Sequence, residues 1–193
     1  MIALFISKKS CEKSQEHQCS YDLLRRIIRD AYNCNNSELE IKRTKHNKPY
    51  IDKIPFSISH SCGVCCVAID VKDKAPDIDG VNTIIITNDD CISVGVDIEC
   101  ISDKTAQKCR RVAQKKFFDS ECEFLDKSES DNEYVKNFCR LWAQKESYCK
   151  FTGKGIVDAL GFDTTVDVDT QFYQDVITID GKKFALSVCY NSK

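Results

Sequence analysis

The sequence predicts an α+β fold with two pseudo-duplicated half-domains, each a helix packed on a small, mostly antiparallel sheet. In both halves of the 193 residues, segments with strand and helix patterns follow the order strand, helix, strands. Only 7 glycines and 3 prolines are present, so most of the chain is expected to form regular structure. This length suffices for two half-domains that share a core. We place the halves at 1–95 and 96–193.

The N-terminal half is predicted to contain one long helix and several short strands. In chain order we expect a strand at 2–6, an amphipathic helix at 20–33, a short strand at 38–42, an extended segment opened by Lys48-Pro49, and paired strands at 56–61 and 64–71. Ser20 is the predicted N-cap of the helix. A polar segment near 72–92 has an apolar centre and is predicted to be an inserted hairpin.

The C-terminal half is predicted to be built around one strong helix. In chain order we expect a strand at 94–99, a basic helix at 103–117, a further element from 117, the strong helix at 133–151, and strands at 162–168, 175–179 and 183–190. Gly153 and Gly155 are the predicted end of the strong helix. An Asp180-Gly181 turn should join the last two strands.

Charge and hydropathy exclude several classes of protein. The net charge is −2, so the chain lacks the broad basic field of a general nucleic-acid binder. No apolar run approaches the ~20 residues of a membrane helix. The apolar run at 2–6 precedes its lysines, the reverse of a secretory signal. We therefore expect a cytoplasmic protein that binds neither nucleic acid nor membrane.

The sequence has 13 cysteines, an unusually high and odd number. Many lie inside apolar runs, which is typical of reduced thiols that pack as small hydrophobic side chains. The one C-x-x-C, Cys62 to Cys65, has no second pair at zinc-site spacing. Packing is the favoured interpretation, and a metal site is the alternative.

Two carboxylates share one face of the predicted strand at 94–99. Alternate strand residues point to the same face, so Asp97 and Glu99 lie together with Gly95, about 7 Å apart. Two like charges there require a cation or solvent, and Gly95 would leave room for a ligand. An ordinary solvated strand face is the alternative.

A third carboxylate lies on the strong helix. Trp142, Glu146 and Lys150 are spaced i, i+4, i+8 and form one helical row, with Glu146 at the margin of the buried side. A surface ion pair of Glu146 with Lys150 would stabilise the helix by only ~0.3–0.5 kcal/mol. Placing a carboxylate at the margin of the buried side costs more free energy than this. Mg²⁺ shared with the two strand carboxylates would be a stronger partner, and Lys145 and Lys150 could then face a diphosphate.

These two stretches, GVDIE at 95–99 and WAQKESYCK at 142–150, resemble the sequence marks of the large, surfactin-type class of 4′-phosphopantetheinyl transferases. Three further stretches follow the family's pattern in the same chain order. They are KPY at 48–50, FSISHS at 56–61 and, more loosely, the FF pair at 117–118 followed by Glu121. Asn47 stands where the family has a glycine, and the stretch from His60 to Asp97 is longer than the family pattern.

The resemblance implies a holo-carrier-protein synthase. Such an enzyme transfers the 4′-phosphopantetheine arm of coenzyme A to a serine of an apo acyl or peptidyl carrier protein and releases 3′,5′-ADP, with Mg²⁺ or Mn²⁺. By motif position, Asp97, Glu99 and Glu146 would bind the metal, Glu146 would be the base, and Lys150 would hold the diphosphate. The residues implied at the nucleotide end of coenzyme A are Lys48, Pro49, Ser59 and His60.

The resemblance also bears on assembly and on the alternatives. The family's small class is trimeric and builds each site between chains. Here both main motifs lie in one chain, so we expect a functional monomer with its active site between the two halves. A magnesium-dependent phosphohydrolase and a non-catalytic, carrier-binding relative are the alternative functions.

Overall fold

The computed structural model describes residues 1–33, 40–87, 91–154, 161–166 and 170–192. It contains nine strands and four α-helices within these ranges. In chain order they are β1 (Ile2–Ser7), α1 (Glu16–Tyr32), β2 (Lys42–Arg43), β3 (Pro49–Tyr50), β4 (Phe56–Ser61), β5 (Val64–Asp70), β6 (Val81–Thr87), β7 (Cys91–Cys100), α2 (Ala106–Lys116), α3 (Asp119–Asp126), α4 (Asp131–Thr152), β8 (Gln171–Ile179) and β9 (Lys182–Ser192). None of these helices has the length and apolar character of a membrane-spanning segment.

Two antiparallel sheets form the framework, so the predicted α+β class is confirmed. The first has the strand order β4-β5-β1-β6 and the second β7-β9-β8, while β2 and β3 form a small separate pair. Helix α1 packs on the first sheet and α4 on the second. Strand β7 runs unbroken through position 95. We therefore propose that the halves divide before Cys91.

The core lies between the two sheets and on their outer faces. Strand β1 shows this best, because both of its faces are buried. Its even-numbered residues, Ile2, Leu4 and Ile6, join the cluster shared with β7 and β9. Ala3 and Phe5 pack with α1 on the other face. A continuous apolar strand of this kind is typical of a sheet covered on both sides.

Edge strands of the two sheets meet along a row of serine hydroxyls, which we call the serine seam. Strand β4 is one edge of the first sheet and β7 is one edge of the second. Backbone N–H groups of β7 donate to side chains of β4 instead of to another strand. In chain order, Ser57, Ser59 and Ser61 accept from Val96, Ile98 and Cys100 at 3.0, 3.4 and 3.0 Å. The seam satisfies buried donors that an edge strand would otherwise leave unpaired.

The predicted start of α1 is wrong. The helix begins at Glu16, and Ser20 lies buried inside it, donating to the carbonyl of His17 at 2.8 Å. Glu16 explains the extra turn, because its carboxylate accepts from the amide of Gly63 at 2.6 Å and lies 3.0 Å from Nδ1 of His60. These tertiary contacts stabilise a turn that the local apolar pattern does not indicate.

The inserted segment does not form the predicted hairpin within the described residues. It contributes β6, which pairs antiparallel with β1 as the edge of the first sheet. Ile84 and Ile86 pack against the core between the sheets, which explains why this strand joins the sheet. Positions 88–90 lie outside the described residues.

Two other local predictions require correction. Of the strand expected at 38–42, residues 38 and 39 lie outside the described ranges, and β2 begins only at Lys42. The strand expected at 162–168 is not formed at 162–166, and 167–168 are not described. The amide and the hydroxyl of Thr164 donate hydrogen bonds to Oε1 of Glu121 at 2.9 and 2.7 Å. Side-chain bonds of this kind hold turns rather than strands.

The predicted end of α4 is confirmed at Gly153, which has φ +69°. The other glycine predicted there, Gly155, lies outside the described residues. The Asp180-Gly181 turn is also confirmed, because both residues adopt positive φ between β8 and β9.

Candidate active site

Gly95 brings α4 close to β7. A Cβ at this position would lie 2.0 Å from the carbonyl oxygen of Ser147 and 2.4 Å from the amide nitrogen of Phe151. The expectation that Gly95 leaves room for a ligand is therefore wrong, because helix backbone fills that space. The close approach places Glu146 and Lys150 of α4 beside the carboxylate face of β7.

Lys150 is held at the centre of this contact. Its Nζ donates to Oδ1 of Asp97 at 2.8 Å, to Oγ of Ser59 at 2.9 Å and to the carbonyl of Val96 at 3.0 Å. Burial disfavours the ammonium, but the charge and hydrogen bond of Asp97 outweigh it and raise the pKa of Lys150. Lys150 on α4 forms its ion pair with Asp97 on β7. The alternative considered from the sequence was a surface ion pair between Lys150 and Glu146 on the same helix.

Three carboxyl groups crowd the same buried region. Burial and, after it, the charges of Asp97 and Glu99 together raise the pKa of Glu146 to about 7 against the opposing effect of Lys150. Burial also raises the pKa of Glu99, and its ion pair with Lys104 offsets this only in part. The anionic forms of Glu146 and Glu99 are therefore disfavoured, and a bound cation would favour them.

One oxygen of this cluster has no partner. Oδ2 of Asp97 is buried and accepts no hydrogen bond among the described residues, while Oδ1 accepts from Ser59 at 2.7 Å as well as from Lys150. An unpartnered carboxylate oxygen costs free energy that a bound cation would recover. Mg²⁺ prefers carboxylate oxygens and keeps several waters. Asp97, Glu99 and Glu146 line one cavity and offer the oxygen ligands that suit Mg²⁺, but their carboxylate oxygens do not all lie within 4.8 Å of one another, so a bound ion would have to draw them together.

Two adjoining cavities open around these residues. A cavity of 390 Å³ is lined by α1, β4, β7 and α4, and includes Ser59, His60, Asp97, Glu99 and Glu146. A second, of 290 Å³, is lined by the segment from His46 to Pro49 and by the C-terminal part of α4. Pro49, Ile58, Glu146 and Lys150 line both. Residues predicted from separate halves of the chain therefore meet in one cleft.

The sequence model of the 4′-phosphopantetheinyl transferase superfamily matches residues 93–191, about half of the chain. The chain belongs to this superfamily. The matched region contains the carboxylate strand β7 and the helix α4 that supplies Glu146 and Lys150.

Two curated relatives carry the transferase name. "4′-Phosphopantetheinyl transferase gsp" of Aneurinibacillus migulanus is 30% identical over 137 residues, which cover 69% of this chain and 46% of the relative. "4′-Phosphopantetheinyl transferase Sfp" of Bacillus subtilis strain 168 is 30% identical over 138 residues, covering 69% and 50%. The resemblance to the surfactin-type class is confirmed. The chain spans about half the length of these relatives.

The residues that were predicted at the nucleotide end of coenzyme A lie around the cleft. The ammonium of Lys48 donates a hydrogen bond to the carbonyl oxygen of Lys150, and burial lowers the pKa of Lys48. Pro49 lines both cavities. Ser59 bonds to Lys150 and Asp97, whereas His60 is partly exposed and paired with Glu16.

Lys145 does not reach the cleft. Its ammonium is buried, forms an ion pair with Glu121 at 2.9 Å and donates to the carbonyl of Phe162. It also lies over the rings of Phe117 and Phe118. The prediction that Lys145 faces a diphosphate is therefore not supported. Lys145 lies seven residues after the buried Phe138, and seven residues span about two helical turns. This spacing places both side chains on the same face of α4, so the sequence did indicate that Lys145 is buried.

Sequence reasoning missed two cationic side chains near the cleft. Arg43 lines the larger cavity and donates to the hydroxyl of Tyr21 at 3.1 Å. Lys104 forms the ion pair with Glu99. Single basic residues in polar segments carry no distinctive pattern, so no signal in the sequence indicated either role.

Proposed function

We propose that the protein transfers the 4′-phosphopantetheine group of coenzyme A to a serine of an apo acyl or peptidyl carrier protein and releases 3′,5′-ADP. The observation that carries this proposal is the convergence of Asp97, Glu99, Glu146 and Lys150 in one cleft of a superfamily member. The two relatives carry the transferase name, although this chain spans only about half of each.

The proposed reaction is a displacement at phosphorus. The serine oxygen of the carrier forms a bond to the phosphorus that bears the pantetheine arm. The bond from that phosphorus to the bridging diphosphate oxygen breaks, and 3′,5′-ADP leaves with the electron pair. The serine proton passes to the Glu146 carboxylate. A base within hydrogen-bond reach typically contributes 10²–10⁴-fold to such a step.

Lys150 is proposed to hold the diphosphate. Its ammonium is already oriented by Asp97, Ser59 and the carbonyl of Val96, and because these three use all of its N–H donors, one of the hydrogen bonds would be exchanged for a diphosphate oxygen. Asp97, Glu99 and Glu146 are proposed to hold Mg²⁺, which Mn²⁺ could replace, and which would neutralise charge on the diphosphate. Lys48, Pro49, Ser59 and His60 are proposed to contact the nucleotide end of coenzyme A.

Mass spectrometry of an apo carrier protein tests the proposal directly. Incubation with coenzyme A and Mg²⁺ should add one phosphopantetheine group to the carrier serine, and a carrier with that serine replaced by alanine should gain nothing. EDTA should stop the reaction, and Mg²⁺ or Mn²⁺ should restore it. Asp97→Ala should lose nearly all transfer while circular dichroism remains that of the parent protein.

The alternatives give different results in the same assay. A phosphohydrolase would consume coenzyme A without changing the mass of the carrier. A non-catalytic relative would bind the carrier and leave coenzyme A intact. Full transfer in EDTA would contradict the metal assignment. The cytoplasmic location and the functional monomer remain parts of this proposal.

A further inference from the structure

A second cluster of metal-ligating groups lies outside the active-site cleft. The Sγ atoms of Cys62 and Cys100 and a carboxylate oxygen of Asp103 all lie within 4.8 Å of one another. Sγ of Cys62 is 3.1 Å from Oδ2 of Asp103. None of the three residues lines either cavity of the cleft. Among the described residues, it is the one group of three such side chains this close together.

The backbone fixes the positions of these ligands. Cys62 occupies the tight β4–β5 turn, where it and Gly63 both adopt positive φ. A Cβ on Gly63 would lie 2.2 Å from the carbonyl oxygen of Cys11, so the turn is packed against that segment. Cys100 ends β7, and its amide donates to Ser61 at the end of the serine seam. The two thiols are therefore brought together by the same contact that joins the two sheets.

The donor set suits a metal with an affinity for sulfur. Zn²⁺ is bound by thiolates and carboxylates, usually with four ligands in a tetrahedron. Bonds of about 2.3 Å to sulfur and 2.0 Å to oxygen place two sulfurs roughly 3.8 Å apart and sulfur and oxygen roughly 3.5 Å apart, so these groups need to move by at most about 1.3 Å. Mg²⁺ prefers an all-oxygen set. This cluster therefore differs in chemistry from the carboxylates of the cleft.

We propose that Cys62, Cys100 and Asp103 form a Zn²⁺ site, with water as the fourth ligand. Binding would replace two thiol protons with the metal ion. Asp103 is exposed and gives access from solvent, while Cys100 is buried. Lys182 forms an exposed ion pair with Oδ1 of Asp103 at 3.7 Å, while Oδ2 is the oxygen that lies beside Cys62. The ion would connect the β4–β5 turn to the end of β7 and so join the two sheets.

Cobalt titration of the reduced, metal-free protein tests this proposal without reference to activity. Co²⁺ bound by thiolate gives an intense ligand-to-metal charge-transfer band that oxygen ligands do not produce. We expect one such Co²⁺ per chain, displaced by one equivalent of Zn²⁺. Co²⁺ at the proposed magnesium site would lack the band, so the two sites are distinguished in one experiment.

Variants assign the band to residues. Cys62→Ser and Cys100→Ala should each weaken Co²⁺ binding at least about 100-fold, and Asp103→Asn by about 10-fold. Cys122→Ser and Cys19→Ser change partly exposed thiols elsewhere and should keep the band. Absence of the band in the folded parent, or its retention in Cys62→Ser, would overturn the proposal. Should a cysteine variant fail to fold, an unchanged titration of the exposed Asp103→Asn variant would also overturn it.

Heat stability supplies a second readout. Because the ion would bind the folded chain and connect the two sheets, one equivalent of Zn²⁺ should raise the melting temperature of the parent. Cys62→Ser should show no such shift, and Cys122→Ser should match the parent. Equal shifts in the parent and in Cys62→Ser would contradict the proposed site.

Discussion

Glu146 carries its carboxylate where burial and neighbouring charge both oppose ionisation. Its pKa is raised from 4.5 to about 7. Between these two values the folded protein retains a proton that the unfolded chain releases. The free energy of unfolding of the metal-free protein should therefore fall as pH rises from about 4.5 to 7. The residue proposed as the catalytic base is thus one whose ionisation lowers the stability of the metal-free protein.

The variant Glu146→Gln separates these two effects. It keeps the side-chain shape but removes the charge, so transfer should fall at least ~10²-fold, as for the loss of a general base. In EDTA at pH 8, urea denaturation should show the variant about 1–2 kcal/mol more stable than the parent, since one pKa unit corresponds to ~1.4 kcal/mol and partial exposure reduces the effect. At pH 4.5 the two should be nearly equal. If the folded variant transfers phosphopantetheine at nearly the parent rate, the assignment of Glu146 as the base is wrong.

At the scale of elements, the contact of α4 with β7 sets the active-site geometry. Gly95→Ala would place a methyl group 2.0 Å from helix backbone, so the two elements must separate. We expect the free energy of unfolding to drop by about 2–4 kcal/mol, beyond usual overpacking, and transfer to fall more than tenfold. Gly181→Ala is the comparison variant, because Gly181 has open space around it, although its positive φ adds backbone strain that is absent at the strand residue Gly95. It should cost only about 1 kcal/mol and leave transfer unchanged. Equal effects of the two variants would refute the packing role of Gly95.

The buried pair of Lys145 and Glu121 links α4 to α3. Removing either partner leaves an unpaired buried charge, which typically costs 3–5 kcal/mol. Lys145→Met and Glu121→Leu should each destabilise the protein by about that amount in urea denaturation. The double variant should lose clearly less than the sum, because neither charge remains. Transfer per folded molecule should stay near the parent value in the double variant, since Lys145 lies outside the cleft. Additive losses, or a selective loss of transfer, would contradict this role.

The periodicity of the sequence predicted the strand and the helix that carry the candidate site. It could not predict features that depend on contacts between residues distant in the sequence. Alternation along β7 and the i, i+4 row of α4 correctly placed Asp97, Glu146 and Lys150 near one another. The same patterns could not show that Gly95 faces helix backbone, because packing partners distant in sequence are not encoded in local spacing. The first turn of α1 was missed for the same reason, since Glu16 gains its partners from the β4–β5 turn. The spacing of the carboxylates already suggested a shared Mg²⁺, whereas the residues at the nucleotide end of coenzyme A were predicted only from the resemblance, and both remain proposals.

At the scale of the whole molecule, the serine seam explains why a cleft forms between the sheets. Serine hydroxyls on alternate residues of β4 accept the amides of β7, so the two edges approach without merging into one continuous sheet. Ser59 also bonds to Asp97 and Lys150, which places it both in the seam and in the site. A change at Ser59 should therefore affect Lys150 directly, whereas Ser57 and Ser61 contact only the backbone of β7 within the described residues.

One chain contains both walls of the cleft, which leads to a test of assembly. We predict a monomer in light scattering, near the 22.0 kDa of one chain, with specific activity unchanged on dilution. Mixing two double variants, each expected to be inactive, provides a sharper check. The first carries Lys48→Glu and His60→Ala in one wall of the cleft, and the second carries Asp97→Ala and Glu146→Gln in the other. If each chain builds its own site, their mixture remains inactive, because neither chain has two intact walls. In an oligomer with sites shared between chains, some sites of the mixture would combine two unaltered walls. Recovery of transfer on mixing would therefore contradict the monomer, and the parent protein added to either variant controls for inhibition by the inactive chains.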